Sequence, residues 1–354
     1  MLHFGLGLLA WPFWIRDIFR SRATPRRVLF VGRYHLGDFL MFTPALLAAR
    51  KRLPQAWFGI VVQEKYSSDI SLDAVADAAL PEIDESQPFF NQIRAWLRRF
   101  REHRVDAVVF HRFTRPDLPA ALAAFWLGLP HRVGGADKGI QALLTDAYIP
   151  ANREKVVEYH QHLISEWLDL PPEPALIWPD LFLPPLFRYP PGEILIAPFA
   201  QHSKIWPTES WHILLRELRA RSRSVALSAA PGAAAAADEL LADFPEVKNL
   251  ARTSTSLRSL FETVQSSSLV ITVDTGIRHV AAMLGVPCVV LGHGREHRRI
   301  MDAYVPTERY LWNAVPCAPC GAEPCPLGHL QCIHGITAER VLAAIDELQP
   351  ELLS

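Results

Sequence analysis

The chain has 354 residues, 50% hydrophobic and 21% charged, a composition that excludes a disordered, collagenous or coiled-coil protein. Lys and Arg number 36 against 37 Asp and Glu, and the net charge of −1 excludes a bulk nucleic-acid binder. Five cysteines are too few for a disulfide-dense secreted scaffold, and at roughly 150 residues per domain the length predicts two domains.

Met1 to Ile15 holds no Lys, Arg, Asp or Glu; Arg16, Asp17, Arg20, Arg22, Arg26 and Arg27 follow. A signal peptide carries its positive charge before the apolar run, not after it. A membrane-spanning helix needs about 20 apolar residues, and Pro12 interrupts this shorter run. Residues 1–26 therefore read as a segment lying in a membrane interface, with Leu, Phe and Trp side chains at the acyl boundary and arginines on anionic headgroups. The alternative is an apolar arm packed on the protein's own surface.

From Arg27 onward short apolar runs alternate with helical stretches. Residues 28–31 predict a strand ending at Gly32, 40–53 a helix and 58–62 a strand. In a helix over 92–104, Ile93, Trp96, Leu97 and Phe100 share one face, while Arg94, Arg98, Arg99, Arg101 and Arg104 occupy the other. That basic face reads either as a solvated surface or as a contact for a phosphorylated or membrane-bound partner. Residues 106–110 predict a strand. Eight prolines between 171 and 191 then mark an interdomain linker. Beyond it, strands are predicted over 194–197, 225–228, 269–273 and 287–291, and helices over 208–219, 233–243, 257–264, 278–284 and 338–348. Strand–helix alternation in both halves argues for two parallel-sheet α/β domains, over 27–185 and 186–354.

Three loops lie where such domains bind ligands, at the carboxyl ends of strands. Gly32-Arg33-Tyr34-His35-Leu36-Gly37-Asp38 follows the first strand. Its glycines permit a tight turn, and Asp38 reads equally as a general base or as the N-cap of the next helix. The loop lacks the Lys-Ser/Thr of a P-loop and the spacing of a dinucleotide fingerprint. Lys204, in Gln201-His202-Ser203-Lys204-Ile205-Trp206-Pro207, reads as a phosphate ligand or as an ordinary surface lysine. In Val273-Asp274-Thr275-Gly276-Ile277-Arg278-His279, Asp274 or Thr275 can cap a helix whose N-terminal N–H groups make an anion site, with Arg278 and His279 as further donors. A single Asp-Thr-Gly on a strand–helix unit does not make an aspartic protease, which needs two carboxylates sharing a proton. Cys317, Cys320, Cys325 and Cys332, in a Cys-rich loop over 317–332, offer four thiols for tetrahedral zinc. Their spacing is not that of a zinc ribbon, so a reduced, thiol-lined loop is the alternative. Cys288, in an apolar strand, reads as core.

Taken together these stretches resemble glycosyltransferase family 9, the lipopolysaccharide heptosyltransferase family. Arg27 to Arg33 with Gly37-Asp38 and Thr43-Pro44 is similar to the family's opening motif. Lys204-Ile-Trp-Pro-Thr-Glu-Ser-Trp211 resembles its Lys-x-Trp-Pro-x-x-x-Trp segment, and Asp274-Thr-Gly-Ile-Arg-His279 its Asp-Thr-Gly-x-x-His signature. The resemblance implies a GT-B fold of two Rossmann-like domains facing across a cleft, with acceptor on the N-terminal domain and nucleotide sugar on the C-terminal one. It implies inverting transfer, without a required cofactor, of a sugar from a nucleotide diphosphate, ADP-heptose first, to a lipid-linked core-type acceptor at the cytoplasmic side of the inner membrane. Asp38 would be the base, Lys204, Asp274, Thr275, Gly276 and His279 would hold the donor phosphates, and Gly37 and Arg33 would belong to the acceptor loop. Two departures stand out. Phe199 replaces a small residue in the turn after strand 194–197, and the alanine run 233–237 stands where an acidic residue for the donor ribose is expected. A different nucleotide sugar, or a family member that binds without turnover, are the alternatives these departures leave open.

Overall fold

A computed structural model describes residues 23–32, 35–63, 72–111, 117–136, 139–151, 154–171, 176–179, 181, 192–200, 204–253, 256–295 and 301–348. Residues 1–22 of the apolar segment, Arg33 and most of the proline-rich linker lie outside them. Two compact units result, Met1–Leu181 and Phe182–Ser354. Among the described residues no helix is long and apolar enough to cross a membrane.

The first unit holds β1 (Arg27–Val31), α1 (Leu36–Arg52), β2 (Trp57–Val62), β3 (Ala78–Pro81), α2 (Phe89–Glu102), β4 (Ala107–Phe110), α3 (Leu118–Leu127), β5 (His131–Gly135), β6 (Asp146–Tyr148) and α4 (Val156–Leu168). The second holds β7 (Ile194–Ala197), α5 (Thr208–Ala220), β8 (Val225–Leu227), α6 (Ala234–Leu240), β9 (Lys248–Asn249), α7 (Leu257–Gln265), β10 (Leu269–Val273), α8 (Gly276–Leu284), β11 (Cys288–Leu291), β12 (Glu308–Leu311), α9 (Gln331–His334) and α10 (Ala338–Leu348).

Each unit is one six-stranded parallel sheet, in the order β3-β2-β1-β4-β5-β6 in the first and β12-β11-β10-β7-β8-β9 in the second. Renumbered from its own first strand, the second sheet has the same order as the first. Both are the doubly wound Rossmann order, in which the chain reverses direction beside the first strand and leaves a crevice at the carboxyl ends. In the first sheet Leu29 pairs with Gly59 and Val108; in the second Ile271 pairs with Ile196 and Val289. These central strands are buried on both faces, so they read as continuous apolar runs rather than as alternation. On one side of the first sheet Leu29, Val31, Val108 and Phe110 pack on Ile93, Trp96 and Phe100 of α2 and on the alanines of α3. On the other, Phe30 meets Phe42 of α1 at 5.6 Å between ring centroids.

Helix α1 begins four residues before the expected start, which makes Gly37 and Asp38 helical rather than loop residues. Pro44 lies inside it. Proline cannot donate to the carbonyl four residues back, and that carbonyl, of Leu40, instead accepts the Thr43 hydroxyl at 2.9 Å. The Thr-Pro pair is thus a local repair of the helix. The two tryptophans of the Lys-x-Trp-Pro segment are structural as well. Trp206 and Trp211 cross edge-to-face at 4.8 Å, and the Trp206 indole donates to the Ile336 carbonyl at 2.8 Å. Helix α8 ends at Gly285 with φ of 70°, the left-handed conformation that glycine adopts without cost.

Candidate active site

In the first unit the crevice lies between the ends of β1 and β4. Asp38 stands in the first turn of α1, exposed, where its carboxylate accepts the His35 backbone N–H at 3.4 Å. The N-cap reading is corrected: His35 holds the N-cap position, and Asp38, at the third helical position, accepts the N-cap N–H while staying exposed at the crevice end of β1. Gly37 is buried in the same turn. Arg33 lies outside the described residues.

At the same ends of β1 and β4 lie two buried histidines that the sequence did not point to. His111, directly after β4, stacks on Phe42 at 3.9 Å and lies against Gly32, where a Cβ would come within 2.3 Å of the imidazole. His160 of α4 is buried, with Nε2 3.0 Å from the His111 carbonyl and Nδ1 3.3 Å from the Met41 carbonyl. Burial pushes the His160 pKa down to about 4 against the pull of those two carbonyls, so the ring is neutral and donates through one nitrogen. A histidine just after an apolar strand is the one signal that could have flagged His111. A cleft of about 390 Å³ opens at these strand ends, walled by Gly32, Phe110, Glu82, Phe89, Gln92 and Asp117 among others. Asp38 is not one of its walls, but the cleft shares Gly32 with the loop that leads into Asp38's helix.

In the second unit the corresponding crevice lies between β7 and β10. The Lys204 ammonium crosses it and donates to the Asp274 carbonyl at 2.9 Å. Thr275 occupies the N-cap position of α8 without a side-chain cap bond. The backbone N–H groups of the first turn, at half-buried Thr275 and Gly276, therefore sit next to a lysine, an arrangement suited to a phosphate.

Asp274 and Arg278 correct the sequence reading. The Asp274 carboxylate turns away from the helix end into the protein and caps nothing. It takes Arg278 Nη1 at 3.2 Å and the Tyr310 hydroxyl at 3.4 Å, with His293 Nε2 also 3.4 Å away. His293 Nδ1 accepts the Arg295 backbone N–H at 3.2 Å, which leaves the ring proton on the nitrogen facing Asp274. Although burial opposes its charge, Asp274 is held well below the usual carboxylate range by His293, Arg278 and Lys204. Arg278 is no ligand donor. It is 1% exposed, bonds Glu308, and gives Nη2 to the Met301 and Asp302 carbonyls at 2.7 and 3.1 Å. Burial works against this cation too, but Glu308 and Asp274 prevail and raise its pKa.

His279 projects from the same turn. Its Nδ1 lies 2.7 Å from the Tyr304 hydroxyl, with the two rings stacked. Burial, reinforced by Arg278, lowers the His279 pKa to about 3, while burial and Glu308 raise that of Tyr304. The phenol therefore keeps its proton and donates it, Nδ1 accepts, and Nε2 carries the hydrogen of a neutral donor.

The remaining sequence expectations fare differently. Gln201, His202 and Ser203 lie outside the described residues. Phe199 packs against the core of the second unit. Asp238, just past the alanine run, is bound by Arg252 at 2.6 Å and by Asn249 at 2.8 Å. The expectation of a zinc site at Cys317, Cys320, Cys325 and Cys332 is not met. Among the described residues no three His, Cys, Asp or Glu side chains are placed to share a metal ion. The five cysteines are all unpaired, and Cys317 Sγ stands 3.8 Å from His329 Nε2. The Cys-rich segment instead runs along the chain after β11, with the Cys320 N–H on the Gly294 carbonyl at 3.1 Å.

Two doubly wound parallel sheets, one in each unit, are the architecture of the GT-B class of glycosyltransferases. The chain belongs to glycosyltransferase family 9, the heptosyltransferase family, whose model matches residues 98–331. It is 26% identical over 322 residues to lipopolysaccharide heptosyltransferase 1 of Pseudomonas aeruginosa, covering 84% of this chain and 87% of that one. The fold is shared with E. coli ADP-heptose LPS heptosyltransferase II (TM-score 0.67, 21% identity, 93% of this chain and 100% of that one). It is shared equally with E. coli heptosyltransferase WaaC, solved with ADP-2-deoxy-2-fluoro heptose (TM-score 0.67, 21% identity, 91% and 99%).

Proposed function

We propose that the protein transfers heptose from ADP-heptose to a lipopolysaccharide core-type acceptor, with inversion and with Asp38 as general base. The N-terminal domain (27–185) takes the acceptor and the C-terminal domain (186–354) the nucleotide sugar, and the enzyme works at the cytoplasmic side of the inner membrane, with segment 1–26 in the lipid interface. The observation that carries this reading is the Lys204 ammonium on the Asp274 carbonyl beside the uncapped start of α8.

In the proposed reaction the Asp38 carboxylate takes the proton of an acceptor hydroxyl. The oxygen attacks the anomeric carbon from the face opposite the diphosphate, and the bond from that carbon to the phosphate oxygen breaks. Negative charge then grows on the departing ADP. In this reading Lys204, the N–H groups at the start of α8 and the His279 ring stabilise it. Neutral His279 suits this role, because it offers a donor without becoming an acid that would compete for the acceptor proton. Asp274 acts from behind, by fixing the backbone that holds Lys204.

The test is thermal stability with ADP, UDP, GDP or CMP, repeated on Lys204→Ala. A ligand at 100 times its Kd adds roughly 2.7 kcal/mol. Selective stabilisation by ADP that the variant loses supports the reading. Selective stabilisation by UDP or GDP overturns the ADP-heptose assignment.

A further inference from the structure

We infer that the outer face of α2 is a second membrane-docking surface, which seats the N-terminal unit on anionic phospholipid independently of segment 1–26. Helix α2 buries Ile93, Trp96 and Phe100 against the sheet. Its opposite face is exposed and carries Phe90, Arg94, Arg98 and Arg101, residues that recur every three or four positions and so line up in one row. At a rise of 1.5 Å per residue the row is roughly 16 Å long. Arg104 continues the charge past the helix end. Arg98 has one exposed acidic neighbour on the helix, Glu102, at 3.8 Å. Arg99 is not part of the row; its guanidinium lies over the Trp96 ring, 5.1 Å from the centroid.

Phe90 is 70% exposed and Phe89 42%, an aromatic pair left in water at the head of the row. Arginines alone would suit any polyanion. Arginines that continue from an exposed aromatic pair ask for a partner offering phosphates and an apolar layer side by side, and a bilayer surface does so. Guanidinium forks pair with lipid phosphates, and the Phe90 ring enters the boundary beneath them. Phe89 also walls the cleft beside Gly32. Docking through this face would therefore bring the mouth of that cleft to the headgroup layer, where a lipid-borne glycan is presented. The inference stands whichever sugar is moved.

The experiment uses the full chain with vesicles of phosphatidylcholine alone or mixed equally with phosphatidylglycerol. Arg94→Glu, Arg98→Glu and Arg101→Glu combined should weaken binding to the mixed vesicles by about 100-fold, since each arginine at an anionic surface is worth roughly a factor of five. Phe90→Ser should weaken it several-fold, and both variants should still bind ADP as the unaltered chain does. To separate this face from any contribution of segment 1–26, glyoxal modification of the arginines is read in parallel by mass spectrometry. Arg94, Arg98 and Arg101 should react more slowly on mixed vesicles than on phosphatidylcholine. Unchanged reactivity of these three arginines overturns the inference, and so does equal protection by duplex DNA that is indifferent to Phe90→Ser.

Discussion

The Lys204 ammonium donates to the backbone carbonyl of Asp274 at 2.9 Å, across the point where the second sheet reverses its winding. Lysine thus comes from the loop after the first strand of that sheet and its acceptor from the end of the fourth. The bond uses one of three ammonium hydrogens and leaves the charge directed at the start of α8. Replacing Lys204 by Ala should weaken ADP binding by about 10- to 150-fold, the equivalent of a charged hydrogen bond worth 1.5–3 kcal/mol. Calorimetric titration checks it; a change of less than threefold would remove Lys204 from the phosphate site.

Arg278 is predicted to matter for stability rather than for binding. Arg278→Met leaves Asp274 and Glu308 as buried carboxylates without their cation. Breaking such a buried pair costs about 3–5 kcal/mol. Urea unfolding should show the full loss, and a variant within about 1 kcal/mol of the unaltered protein would mean that the network tolerates the vacancy.

Several strands buried on both faces are legible in the sequence, although β5, equally buried, is not, because His131-Arg132-Val133-Gly134-Gly135 carries one large apolar residue. The strands at 194–197 and 269–273 and the helix at 338–348 have the residues expected for them. The edge strands β3, β6, β9 and β12 escape notice because they are two to four residues long and only partly buried. Helix α3 escapes because its sequence, LPAALAAFWL, is apolar all round and so has no period to read. At the site, the positions of Asp38 and Lys204 follow from loops at strand ends. The direction of the Asp274 carboxylate and the sequestering of Arg278 do not, since both depend on Glu308 and Tyr310, some thirty residues further along. The pairing of His111 with His160 is illegible for the same reason, with 49 residues between them.

His160 supplies a pH dependence with a definite sign. Its pKa falls from 6.5 to about 4 on burial, so between those values the unfolded chain binds a proton that the folded one refuses. Stability therefore rises with pH across that window, by about 3 kcal/mol for this residue, and is fully present above it. His160→Gln keeps an amide donor for the His111 carbonyl and removes the titration. Denaturant midpoints measured from pH 4 to 7 should climb less steeply in the variant; identical slopes would show that His160 does not titrate in this range.

Gly32 and His111 should behave as a coupled pair. A Cβ on Gly32 would lie 2.3 Å from the imidazole, and His111 cannot retreat easily because it stacks on Phe42. Gly32→Ala should cost about 1–3 kcal/mol, typical of overpacking. The same change in a His111→Ala background should cost little. Additive losses in the double-mutant cycle would contradict the contact.

The central claim is heptosyl transfer with Asp38 as base, and mass spectrometry of the acceptor tests it most directly. Purified protein is incubated with ADP-heptose and a truncated lipopolysaccharide core acceptor, beside Asp38→Asn. The unaltered protein should add one heptose and release one ADP per acceptor. Asp38→Asn should be slower by about 10²- to 10⁴-fold, the range for a lost general base, with ADP binding intact. Transfer by Asp38→Asn at the unaltered rate, or no transfer by a protein that binds ADP-heptose and acceptor, would contradict the account.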